Sequence, residues 1–183
     1  MKKTFLISFL ILTFQLSAQE LPYKSILKAP ESVTVASITA RMIDGLGYRY
    51  HWATQGLKDQ DLIFGPEGEG RNIKQTMDHI YVLCLAMQSA VDSSVKVNYG
   101  TIEDELELRK KTLNTISAIS VKLRTMSDAE MEEVRFNRLP LWNFYNGPLA
   151  DAIYHTGQIV LLRRMSGNPM NPKVNVLTGV NNN

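Results

Sequence analysis

Four long stretches of this sequence carry apolar residues at every third or fourth position. The stretches cover about residues 33–56, 72–93, 101–125 and 146–167. This spacing places the apolar side chains on one face of an α-helix, whereas a half-buried strand needs a strict alternation that persists nowhere in the sequence. The pattern predicts an all-α protein, a four-helix bundle with an up-down-up-down path or a closely related one.

Turn and capping residues separate these stretches. Asn72 and Gln75 have the spacing of a capping box at the start of the second helix. The glycines and proline of residues 59–70 predict a loop before it. In the last stretch Asn146 is the expected N-cap, and Gly167 is expected to end the helix.

Some side chains outside the repeating positions can also be placed. Arg109 belongs to a run of acids followed by bases, which is typical of a solvated helix face. Trp142 and Phe144 are expected to close one end of the core. Cys84 is the only cysteine, so no internal disulfide can form, and its apolar surroundings predict a buried, inert thiol.

The first nineteen residues have the pattern of a secretory signal peptide. Lys2 and Lys3 supply a positive start, residues 4–16 an apolar centre, and residues 17–19 a small-residue cleavage region. The apolar centre is shorter than the roughly 20 residues that span a bilayer. The pattern predicts an exported protein, periplasmic or secreted, with no stable membrane association after cleavage.

The remaining chain divides into an extended lead-in (20–32), the helical bundle (33–170) and a flexible C-terminal tail (171–183). Loss of residues 1–19 removes two of the twenty Lys and Arg and no acid, so eighteen residues of each sign remain. A neutral chain lacks the basic surface that nucleic-acid binding requires. We therefore expect no nucleic-acid partner.

A carboxylate and an imidazole share one face of the last predicted helix. Asp151 and His155 are four residues apart, so their side chains lie one above the other. The same spacing serves two ligands of a metal ion or a simple hydrogen-bonded pair, and the spacing does not distinguish them. A ligand from a neighbouring helix would favour the metal site.

Two other histidines lie in predicted helices. His79 falls on an apolar stripe of the second helix with Thr76, Leu83, Ala86 and Ala90, where it is either a core histidine or a ligand. On the first helix His51 lies two turns after Asp44, on a line of small and polar residues that could border a polar pocket.

Two runs of residues resemble the DinB-like superfamily. They are Thr76-Met-Asp-His79-Ile and the run from Asp151 to Arg163, above all His155-Thr-Gly-Gln-Ile followed by Leu-Leu-Arg. The resemblance implies a four-helix bundle, often dimeric, with a divalent metal held by one His of the second helix and two His four apart on the last. Carried over, His79 is the first ligand and His155 the third.

This sequence departs from that family pattern at the middle ligand, where Asp151 stands in the usual place of a histidine. Two histidines and one carboxylate suit zinc, iron or manganese, and nickel is a further candidate. His51, the only other histidine, is a further candidate that could replace or supplement a ligand, or hold a bound water.

The resemblance leaves two functions open. Some relatives are metal-dependent transferases of low-molecular-weight thiols, which implies an exported hydrolase or transferase for a small substrate, with Asp44 or His51 as acid or base. The alternative is a non-catalytic bundle that binds a metal or a small ligand. The family's frequent dimers also imply a homodimer.

Overall fold

A computed structural model describes residues 20–30 and 32–183, so the predicted signal peptide (1–19) lies outside the described residues. The described chain is mostly helical, as predicted. Its helices are α1 (Val35–Thr54), α2 (Asp59–Leu62), α3 (Ile73–Val91), α4 (Glu105–Arg124), α5 (Asp128–Glu132), α6 (Leu141–Phe144) and α7 (Ala150–Met165).

The long helices α1, α3, α4 and α7 make the main contacts of the molecule. α1 packs against α4 and α7, and α3 packs against the same two helices. The apolar side chains between them form one buried cluster. Burial of this cluster is the main stabilising contribution, because apolar area removed from water is worth roughly 25 cal/mol per Å².

Local side-chain contacts fix where several helices begin. The Asn72 side chain accepts from the backbone N–H of Gln75, and the backbone N–H of Asn72 donates to the Gln75 side chain, so the predicted capping box is confirmed. Asp104 accepts from the backbone N–H of Glu107 at the start of α4. Each such cap satisfies a helix N–H that would otherwise have no partner.

The buried stripe of α3 differs from the predicted one by one position. Ile73, Met77, Ile80, Cys84 and Met87 are buried, whereas His79 lies on the partly buried stripe beside them. Cys84 is in the core as predicted, and burial raises the pKa of its thiol. Of the two alternatives for His79, a fully buried core histidine is excluded, because the side chain is partly accessible to water.

The predicted start of the last helix is wrong. Asn146 is exposed and caps nothing, because the chain is already helical in α6 and then passes through an irregular turn at Tyr145–Leu149. Gly147 has non-helical angles (φ −90°, ψ −107°) inside this turn. The following Pro148 has no N–H to donate, which favours such an interruption.

The aromatic residues before this turn do not both enter the core. Phe144 is fully buried, as predicted, but Trp142 is 73% exposed, so that part of the prediction is wrong. A short antiparallel hairpin, β1 (Arg135–Phe136) and β2 (Leu139–Pro140), precedes them. Asn137 and Arg138 form its two-residue turn, both with positive φ, as a type I′ turn requires.

Both ends of the described chain lie against α1. The lead-in is held by backbone carbonyls, which accept from the rings of His51 and Trp52. Its residue Ile26 donates to the carbonyl of Gly179 at 2.8 Å, and Tyr48 of α1 donates to Asn181 at 2.7 Å. The segment predicted as a flexible tail is thus hydrogen-bonded to both the lead-in and α1.

Replacement of Gly47 by alanine should detach the lead-in from α1. A Cβ at Gly47 would lie 2.5 Å from the ring of Tyr23, which packs on the bare helix backbone there. We expect Gly47→Ala to lower the free energy of unfolding by about 1–3 kcal/mol in urea titrations, as overpacking does. Gly157→Ala is the matched control, since a Cβ at Gly157 would meet nothing within 4 Å. An equal response of the two variants would contradict the packing of Tyr23.

Candidate metal centre

Three of the predicted site residues meet where α3 packs against α7. His79 comes from the middle of α3, and Asp151 and His155 come from successive turns of α7. Nε2 of His79 lies 3.2 Å from Oδ2 of Asp151, and Nε2 of His155 lies 3.2 Å from Oδ1. The two imidazoles therefore face the two oxygens of one carboxylate.

The group lies at the edge of the core, with one side open to water. The side chain of His155 is 10% exposed, that of His79 27% and that of Asp151 42%. His155 is thus the deepest of the three, and Asp151 lies at the mouth. A small molecule can reach the carboxylate without opening the core.

Gln158 fixes the orientation of the His155 ring. The Nδ1–H of His155 donates to Oε1 of Gln158 at 2.6 Å. A neutral ring protonated at Nδ1 carries its lone pair on Nε2, which is the nitrogen that faces Asp151. At this distance Nε2 either donates to the carboxylate from a ring that is protonated on both nitrogens or directs its lone pair at a cation that lies between the two atoms.

The donor set fits a divalent metal ion. One donor atom from each of His79, Asp151 and His155 lies within 4.8 Å of the others, so the group could hold an ion. Bond lengths of 2.0–2.1 Å with tetrahedral angles put ligand atoms about 3.3 Å apart, close to the 3.2 Å between each imidazole and the carboxylate. Three protein ligands leave at least one position for water or substrate.

Loss of the Gln158 hydrogen bond should weaken metal binding without removing a ligand. We expect Gln158→Leu to raise the zinc dissociation constant about 10- to 100-fold, because the imidazole loses the partner that orients it. Competition with a chromophoric chelator measures this constant. Gln158→Glu keeps an acceptor oxygen and should retain most of the affinity, and an unchanged constant in Gln158→Leu would contradict the positioning role.

The structure does not bring His51 into this group. Its Nδ1–H donates to the carbonyl of Pro22 at 2.8 Å, so the ring is bonded to the lead-in. Burial lowers the pKa of His51 because the charged ring would be poorly solvated. A neutral His51 is therefore the favoured form at neutral pH.

Asp44 belongs to a separate polar network between α1 and α4. Its carboxylate pairs with Arg124, accepts from Ser120 at 2.6 Å and accepts from the hydroxyl of Tyr23 at 3.3 Å. Burial and the neighbouring carboxylate raise the pKa of Tyr23. The predicted polar line of α1 thus contacts α4 and the lead-in.

An open cleft of about 460 Å³ adjoins the group of His79, Asp151 and His155 on the side of Asp151. Its lining comes from α3, the hairpin, the irregular turn and α7, and comprises Leu83, Phe136, Asn146, Gly147, Pro148, Ala150, Asp151 and Tyr154. Sequence patterns could not place Phe136 or Gly147 near the site, because neither lies in a regular α-helix. Helix spacing places Gln158 on the same face as Asp151 and His155. The hydrogen bond between Gln158 and His155 could not be predicted from that spacing.

None of the helices in residues 20–30 and 32–183 is both long and apolar enough to span a bilayer. Comparison of the chain with protein-family models, with curated proteins and with solved structures gave no match.

Proposed function

We propose that this chain is an exported four-helix bundle of the DinB-like kind that binds one divalent cation through His79, Asp151 and His155. The observation that carries the proposal is the approach of two Nε2 atoms to the two oxygens of a single carboxylate. The ring of helix contacts, α1 with α4 and α7 and α3 with the same two, supports the bundle. Zinc, nickel, manganese and iron all suit this donor set.

The cation would serve a hydrolase or transferase acting on a small substrate. When bound, it would lower the pKa of a coordinated water or thiol and polarise the substrate. His79 and His155 would hold it from two helices, and Asp151 would add negative charge at the open side. The Gln158 amide would keep Nε2 of His155 directed at the cation.

A binding module without turnover is the second candidate. The observation in its favour concerns proton transfer, because both side chains expected as acid or base are already bonded elsewhere. Asp44 is paired with Arg124, and His51 is bonded to the lead-in. A general base must lie within hydrogen-bond reach of the proton that it abstracts, directly or through one water.

One experiment tests both candidates. Protein purified without an affinity tag is treated with chelator, and its melting temperature is measured with added zinc, manganese or nickel. Hydrolase and thiol-transfer assays follow on the same samples. Activity that is lost to chelator and restored by one ion supports the enzyme, whereas a metal-dependent melting shift without activity supports the module. A melting temperature that changes with none of these ions would contradict the metal site.

Export and self-association belong to the same proposal. The signal pattern of residues 1–19 supports a periplasmic or secreted location, and the balanced charge of the remaining chain supports a partner other than nucleic acid. Exposed apolar side chains on α7, such as Leu161 and Met165, support a homodimer. Sedimentation that gives a monomer at micromolar protein would count against the dimer.

A further inference from the structure

Most of the residues that line the cleft beside Asp151 are apolar. Leu83 follows His79 by one helical turn, and Tyr154 follows Asp151 by three residues, so each ligand-bearing helix contributes an apolar side chain next to its ligand. Phe136 of the hairpin and Pro148 of the irregular turn complete the walls. Apolar walls favour the apolar part of a ligand.

The charge of the cleft limits what can bind there. Asp151 is the only charged residue in its lining, and no Lys or Arg of the described chain is among the lining residues. The carboxylate of Asp151 would neutralise half the charge of a divalent cation at the ligand group, which leaves the cation able to bind one anionic donor group of a ligand. A substrate that carries a second carboxylate or a phosphate would meet no protein cation in the cleft, and its desolvation would go uncompensated.

The size of the cleft suits one ring or a short branched chain. Its volume of about 460 Å³ lies near the lower end of the roughly 300–1,000 Å³ typical of ligand pockets. Tyr154 is 65% exposed, so its ring forms an accessible edge of the cleft. Asn146 and Gly147 are also in the lining, and the Asn146 side chain is a neutral polar group.

We infer that the cleft binds the apolar body of an uncharged small substrate, aromatic or branched aliphatic, whose oxygen or sulfur ligand reaches the cation beside Asp151. The inference rests on the proposed metal site and names the substrate class for it. Leu83, Phe136 and Tyr154 contact the apolar body, and the three ligands hold the cation. Selectivity against substrates with a further anionic group on this apolar body follows from the absence of lysine and arginine in the lining.

Hydroxamates test this inference, because they bind metal ions through a common group that carries variable side chains. Binding of acetohydroxamate, benzohydroxamate and a benzohydroxamate with a 4-carboxylate to zinc-loaded protein is measured by calorimetry. We expect benzohydroxamate to bind about 10- to 100-fold more tightly than acetohydroxamate, as burial of an aromatic side group implies. We expect the 4-carboxylate group of the third probe to remove most of this gain in affinity.

Substitutions of exposed side chains test whether the gain in affinity arises in this cleft. Tyr154→Ser should raise the dissociation constant of benzohydroxamate several-fold and leave that of acetohydroxamate unchanged. Val121→Ser is the control, since Val121 is also an exposed apolar side chain but lies on α4 and is not in the lining of this cleft, and it should change neither dissociation constant.

The outcomes separate the inference from the proposed function. Equal affinity for acetohydroxamate and benzohydroxamate in zinc-loaded protein would overturn the apolar substrate and leave the metal site standing. Tighter binding of the 4-carboxylate would overturn the preference for an uncharged ligand. Failure of the protein to bind zinc, manganese or nickel in a prior titration would overturn the proposed function, and this inference with it.

Discussion

Replacement of Arg163 by methionine is expected to lower the free energy of unfolding by about 3–5 kcal/mol. The Arg163 side chain is only 2% exposed, and its guanidinium donates to the carbonyls of Trp52, Ala53 and Gln55 at the end of α1. Methionine fills a similar volume but donates nothing, so these carbonyls lose their partner. Each buried polar group left unpaired costs about 1–3 kcal/mol.

The neighbouring arginine provides the control for this prediction. Arg164 is exposed and carries the same charge one residue further along α7, so Arg164→Met should change the free energy of unfolding by no more than about 0.5 kcal/mol. Urea unfolding at 25 °C, with the slope of the transition compared between variants, measures both. Equal losses in the two variants would show that charge, and not the contacts of Arg163 with α1, matters.

Replacement of His155 by alanine is expected to abolish most of the stabilisation that a divalent ion gives to the chelator-treated protein. An ion present at a hundredfold excess over its dissociation constant stabilises the folded state by about 2.7 kcal/mol. His155 is the most buried of the three ligands and bridges the carboxylate and Gln158, so its loss removes both a donor atom and the floor of the site.

A second histidine distinguishes this effect from a general loss of imidazole. His51→Ala should keep the full metal-dependent shift, because His51 is bonded to Pro22 and lies outside the ligand group. Melting curves of the wild type and both variants, with and without zinc, manganese or nickel, make the comparison. Loss of the shift in His51→Ala would make His51 a ligand, and retention of the shift in His155→Ala would contradict the proposed centre.

The parts of the fold that the sequence predicted correctly depend on short separations along the chain. Asn72 and Gln75 cap each other three residues apart, and Asp151 and His155 share a face because a helix places residues four apart together. The pairing of His79 with Asp151 depends on how α3 packs against α7, which spacing within a helix does not contain. Only the family resemblance connected these two residues beforehand.

The errors concern residues whose environment comes from distant parts of the chain. Arg109 is one of them, because it was expected on a solvated face but is 8% exposed and donates to Thr54 and to the carbonyl of His51. Its partners lie more than fifty residues earlier, on another helix. The pattern of charges along α4 is the same whether an arginine faces water or the end of α1, so the sequence could not distinguish the two.

The irregular turn before α7 separates the lining of the cleft from the proposed ligand side chains. Asn146, Gly147 and Pro148 line the cleft, whereas His155 and Gln158 lie in regular helix beyond the turn. Substitutions or insertions within Tyr145–Leu149 would therefore reshape the cleft, while the regular helix would keep Asp151 and His155 on one face. If the proposed function holds, variation in this short stretch would change which ligands fit without moving these two proposed ligands of the cation.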